Sequence, residues 1–156
     1  MTGFLDDGTQ RSRSGDWHFG WVLEGRAIQD VWIVPPRGRR GHDATGVPEY
    51  YGTTLPIYNP RSDDRRVLYI DPAIRAVPKM TGRRQCDAIV QLGHDAAGQS
   101  VRWGFDEIEA TAFRWRGEWS ADGGTTRQIA RRIPHAAPDG RMRRQQPSFR
   151  GAVERA

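Results

Sequence analysis

One cysteine, one lysine and no long apolar run distinguish this 156-residue chain by what it leaves out. The lone Cys86 excludes an intramolecular disulfide and has no companion thiolate for a metal site. No stretch approaches the roughly 20 apolar residues of a membrane-spanning helix. The start, Met1-Thr2-Gly3-Phe4-Leu5-Asp6-Asp7, lacks the basic and apolar regions of a signal peptide. These absences predict a cytoplasmic protein with no membrane partner. A Gly-rich phosphate loop is also missing, since neither Gly20 nor Gly25 is followed by a helix and a lysine, and there is no Gly-x-Ser-x-Gly elbow. His18, His42, His94 and His135 lie far apart, so neither a metal site nor a cofactor is expected.

What is present is aromatic and cationic. Six Trp, five Phe and four Tyr supply the apolar area for one core. The net charge of +5 invites a nucleic-acid partner, but Lys79 is the only lysine and the arginines are dispersed among acids, as in Asp63-Asp64-Arg65-Arg66. Dense clusters occur only at Arg37-Gly38-Arg39-Arg40 and Arg141-Met142-Arg143-Arg144, beside Gly and Pro. Nucleic acid is therefore disfavoured as a partner. Composition divides the chain into a polar, flexible N-terminus (1–8), a folded region (9–133) and an Arg/Pro-rich tail (134–156), which is expected to be disordered.

The folded region reads as antiparallel strands. Phe113, Trp115, Gly117 and Trp119 alternate with Arg114, Arg116 and Glu118, which puts aromatics on one sheet face and charges on the other. Val101, Trp103 and Phe105 repeat the pattern just before, and Ser120-Ala121-Asp122-Gly123-Gly124 is a hairpin signal ahead of a strand from Thr125 to about Ile133. Further runs lie at Thr9 to Phe19, Arg26 to Val34, Tyr50 to Tyr58, Arg65 to Ile70, Val77 to Arg83 and Asp87 to Leu92, making about nine strands. No amphipathic window long enough for a crossover helix separates them, so a parallel sheet is disfavoured and an antiparallel sandwich or barrel is expected. Pro56 predicts an edge or a bulge in its strand.

The stretch from Gly15 to Pro35 is the most distinctive: a strand, a turn at Leu23-Glu24-Gly25, and a second strand on which Ile28, Asp30 and Trp32 share a face. Together with Tyr51-Gly52-Thr53-Thr54-Leu55, Ile57-Tyr58-Asn59-Pro60, Ile70-Asp71-Pro72, Thr81-Gly82-Arg83, Ile89-Val90-Gln91, Arg102-Trp103 and Phe113 to Glu118, it resembles a family of bacterial lipocalin-like (calycin) β-barrel proteins. The resemblance runs in order from about residue 9 to 133. It implies an all-β, antiparallel barrel of about eight to ten strands with a pocket in its mouth or interior. Family-like sequences tend to carry Trp where this chain has Arg65 and Arg127, and a further strand before the counterpart of Thr9. An edge left open there favours a homodimer or an upstream start.

With a turn centred on Leu23 to Gly25, His18 is expected opposite Asp30, the best pair for acid/base chemistry, although such a pair equally well satisfies its own hydrogen bonds in the wall. Arg26, Trp32, Tyr58, Trp103 and Trp115 are the candidate ligand-binding residues. A barrel of this size accommodates one hydrophobic or amphipathic small molecule. By analogy with relatives of the general fold, the expected activity is that of a cofactor-independent cyclase or isomerase acting on a polyketide-like intermediate of secondary metabolism. The alternatives are a non-catalytic carrier and a basic nucleic-acid binder.

Overall fold

The computed structural model describes residues 2–4, 10–12, 14–39, 49–72, 77–110 and 112–136, with the side chains of the first two segments and of residues 130–136 left aside. Its strands are β1 (Thr2–Phe4), β2 (Gln10–Ser12), β3 (Asp16–Val22), β4 (Ala27–Val34), β5 (Tyr50–Asn59), β6 (Asp64–Ile70), β7 (Lys79–Gln85), β8 (Ala88–His94), β9 (Ser100–Asp106), β10 (Phe113–Ser120) and β11 (Gln128–Ala136). All belong to one antiparallel sheet in the order β2-β1-β11-β10-β9-β8-β7-β6-β5-β4-β3. From β3 to β11 the chain is a nine-strand meander, as period-two alternation and short connections require. Among the described residues no helix is long and apolar enough to cross a membrane.

The sheet must curl. β2 and β3 stand at its two ends, yet only residues 13–15 join them. Four residue steps reach roughly 14 Å, whereas the ends of a flat eleven-stranded sheet would lie about 48 Å apart at ~4.8 Å per strand. Ring contacts across the interior agree: Trp17 of β3 lies 5.9 Å from Phe105 of β9 and 5.3 Å from Phe113 of β10, centroid to centroid.

The first expected strand, Thr9 to Phe19, is divided into β2 and β3, which go to opposite ends of the sheet. β1 lies within the segment expected to be a flexible N-terminus, and β11 continues to Ala136, past the expected boundary at 133. Pro134 therefore sits inside a strand. It is tolerated where the β10–β11 register shifts between Phe113 and Trp115. The rest of the expected tail lies outside the described residues. Pro56 marks neither an edge nor a bulge: β5 pairs on both sides, and Pro56 faces Val67. Its missing N–H shows instead as a lapse in the β4–β5 ladder between the pairs Ala27–Ile57 and Asp30–Thr54.

Aromatics face inward and charges outward on β9 and β10. Trp115 is buried, whereas Arg114 and Arg116 both pair with Asp106 across the strands, at 2.7 and 2.6 Å, and Arg102 pairs with Glu118 at 3.1 Å. Burial pulls the Asp106 carboxyl up, but the hydrogen bonds from Arg114 and Arg116 outweigh it and hold the group below the usual carboxylate range. The β10–β11 turn is closed by Asp122, which accepts hydrogen bonds from Ser120 Oγ (2.6 Å), Thr126 N (2.9 Å) and Thr126 Oγ1 (2.7 Å).

The core centres on Trp32, Val34 and Tyr69, with Trp17, Tyr50 and Trp103 packed against them. These large rings fit because a glycine faces them. A Cβ on Gly52 would lie 2.5 Å from Trp32 Nε1 and 2.9 Å from the Tyr69 ring. Gly52→Ala is expected to destabilise the fold by about 1–3 kcal/mol, the usual cost of overpacking. Urea denaturation checks this, and an unchanged midpoint would show that the two rings yield freely.

Candidate functional site

Alternation along β4 turns Asp30 and Trp32 inward, and the β4–β5 register sets Thr54 opposite Asp30. Where the ladder resumes, at this pair, side chains add to it: Thr54 N–H donates to Asp30 Oδ1 at 2.9 Å, and Thr54 Oγ1 donates to Oδ2 at 2.7 Å. Asp30 is 5% exposed, and no cation among the described residues lines the space beside it. Burial pushes its carboxyl up from 3.8 to about 6, against the Thr54 hydrogen bonds and a smaller influence of the nearby Trp17 indole that favour the anion. The Trp17 Nε1–H itself has no hydrogen-bond partner of proper geometry.

Asp30 and Thr54 border a small internal cavity that Gln91 of β8, Trp103 and Phe105 of β9, Trp115 of β10, and Trp17 and Trp32 complete. Its free volume is about 10 Å³, on the order of one water molecule. At this place among the described residues the interior is filled by rings. Three of the walls bring buried polar atoms without partners: Trp17 Nε1, Trp115 Nε1 and Gln91 Oε1. Buried polar atoms left unpaired are uncommon and call for an explanation.

A second, larger space opens at one end of the sheet. A cleft of about 620 Å³ is lined by Arg65 at the start of β6, Arg84, Asp87, Ala88 and Ile89 around the β7–β8 turn, and Glu107, Ile108 and Glu109 after β9. The two spaces are neighbours. Ile89 of the cleft is the register partner of Phe105 of the inner cavity, and Phe105 in turn is the partner of Trp115. In the same way Arg65 lies opposite Gly82, and Gly82 opposite Gln91.

Of the residues expected at a site, Asp30, Trp32, Trp103 and Trp115 converge on the inner cavity. His18 does not. The β3–β4 register is one residue off the expected pairing, with Phe19 opposite Asp30 and His18 opposite Val31, so His18 points outward and is exposed. The reason is the turn: Leu23, Glu24 and Gly25 form a single 3-10 turn with positive φ at all three, and the pairing closes at Val22–Ala27. Arg26 is exposed at this turn, and its backbone N–H donates to the Leu23 carbonyl. Tyr58 is exposed, donates to Asp63 Oδ1 at 3.1 Å, and lies under the Arg65 guanidinium. Both stand at the end of the sheet where the cleft opens, without lining it. Asp71 is buried and accepts a hydrogen bond from Tyr69 Oη at 2.8 Å. In the basic loop Arg37 and Arg39 are exposed, while Arg40 lies outside the described residues.

Trp17, Thr54, Gln91 and Phe105 were not expected at the site. Gln91 carried a signal, a lone polar residue in the apolar run Ala88-Ile89-Val90-Gln91-Leu92, and Trp17-His18-Phe19 repeats the alternation seen in Trp103-Gly104-Phe105. Thr54 carried none. Fold and site together define a curled antiparallel β-sheet protein with an aromatic interior that encloses the Asp30 carboxyl. No family model matches the chain, and no curated protein matches it in sequence.

Proposed function

We propose that the chain is a lipocalin-like (calycin) barrel that binds a hydrophobic or amphipathic small molecule through the cleft at its open end. The observation that supports this is the 620 Å³ cleft, whose wall residue Ile89 is the register partner of Phe105 in the inner cavity. That volume falls within the roughly 300–1,000 Å³ of small-molecule sites. Ala88, Ile89 and Ile108 supply apolar lining, and the charged groups form the rim. In a cofactor-independent cyclase or isomerase of secondary metabolism, Asp30 would be the proton-holding group and confinement would do the rest. A non-catalytic carrier uses the same cleft, and the outward position of His18, which leaves Asp30 without a partner base, favours the carrier.

Mass spectrometry of compounds that copurify with the protein tests the reading. An apolar compound is expected at close to one per chain, and Ala88→Trp, which fills the cleft, is expected to lower its occupancy at least tenfold. Equal occupancy in the variant, or none in the native protein together with no uptake of an added apolar probe, would reject the cleft as a binding site. Accumulation of an uncyclised intermediate on gene deletion would separate enzyme from carrier.

A further inference from the structure

We propose that the ligand carries an uncharged hydroxyl, and that the inner cavity is the site that reads it. This rests on the binding reading above and adds the chemistry of one end of the molecule. Among the residues that line the cavity, Trp17 and Trp115 carry indole N–H donors and Gln91 an Oε1 acceptor, all buried and without a hydrogen-bond partner of proper geometry, the Trp17 indole lying near the Asp30 carboxyl. A hydroxyl oxygen accepts two hydrogen bonds and its proton makes one, so a single alcohol group satisfies all three. A water molecule would fill the same role in the absence of ligand, with Asp30 as its fourth partner.

The other head groups fit less well. A carbonyl or ether oxygen accepts from both indoles and leaves Gln91 unpaired. A carboxylate would enter a space that no cation lines, beside a carboxyl whose own ionisation burial already opposes. An ammonium would find Asp30 and the ring faces attractive, yet it has no lone pair for the two indoles. Gln91 and Trp115 are both more than nine-tenths buried, so these are fixed groups of the interior and not surface side chains that find water. Access is short: Phe105 walls the cavity and its register partner Ile89 walls the cleft, so a chain lying in the cleft reaches the cavity past one layer of side chains. Gly82 keeps that layer thin, since even a Cβ there would lie 3.3 Å from Gln91 Cγ and 3.7 Å from Arg65 Cβ.

The experiment compares four probes of one chain length, dodecan-1-ol, 1-methoxydodecane, dodecanoic acid and dodecylamine, by calorimetry and by quenching of tryptophan fluorescence on the full chain. The alcohol is expected to bind at least fivefold more tightly than the ether and more than tenfold more tightly than the acid or the amine. Gln91→Met is expected to erase most of the alcohol's advantage over the ether while leaving ether binding within about twofold, whereas Trp115→Phe, which removes a donor that both oxygens use, is expected to weaken alcohol and ether alike by at least threefold. Equal affinity for alcohol and ether, tightest binding of the amine or the acid, an advantage that survives in Gln91→Met, or affinities that Trp115→Phe leaves unmoved, overturns the hydroxyl assignment and leaves the cleft as a binding site. Binding of none of the four overturns both.

Discussion

Asp30→Asn is expected to remove most of the pH dependence of stability between about pH 4 and 7. The carboxyl titrates at about 6 in the folded chain against 3.8 ordinarily. Its folded-state value is the higher of the two, so the native state holds the proton more tightly. The resulting stabilisation is fully present below 3.8 and is lost as the pH rises through 6. At about 1.4 kcal/mol for each pH unit between the two values, the contribution is roughly 3 kcal/mol. Asparagine keeps the shape and an acceptor for Thr54 N–H without a charge to desolvate, so the variant should overtake the native protein at neutral pH. Asp106 and Asp122 act in the opposite sense, since hydrogen bonds hold both carboxyls low and their stabilisation is lost only as the pH falls. Urea midpoints measured from pH 4 to 8 check the prediction. Parallel curves for the native protein and the variant would show that Asp30 is not held in the environment described.

Trp115→Ala is expected to cost about 3–5 kcal/mol, the range for removing a large buried ring. The indole is 4% exposed and its ring centroid lies 5.9 Å from Trp17, 6.3 Å from Trp32 and 5.8 Å from Trp103. It joins the β3–β4 wall to the β9–β10 wall, and the surrounding rings are too rigid to collapse into the space it leaves. Trp115→Phe should cost far less. Phenylalanine keeps one six-membered ring and most of the apolar contact, and it loses two ring carbons with Nε1, a donor that has no partner among the described residues. Thermal unfolding of the two variants side by side checks this, and equal losses would mean that the phenyl ring recovers none of the indole's packing.

Much of the architecture could be read along the chain because it is local. The alternation of Phe113, Trp115, Gly117 and Trp119 with charged residues places aromatics inward whatever lies opposite, and Asp122 with Gly123 and Gly124 marks its turn through groups within a few residues. The His18–Asp30 pairing failed for a reason equally local but finer. A one-residue difference in where a turn closes moves every partner along, and composition cannot resolve a 3-10 turn from a simpler one.

By itself, then, the sequence determined the strand class, the meander, the hairpin turns and the inward set of tryptophans, since these follow from period two and from the φ preferences of Gly and Asp. Only the tertiary structure decided what those strands enclose. The Asp30 carboxyl accepts hydrogen bonds from Thr54 N–H and Oγ1, 24 residues away. The inner cavity draws walls from β3, β4, β5, β8, β9 and β10, and its size is what remains after their side-chain volumes are summed. The joining of β2 to β3 across three residues curls the whole sheet. None of these quantities has a short-range signature, because each depends on which distant groups meet once the sheet has closed on its own aromatics.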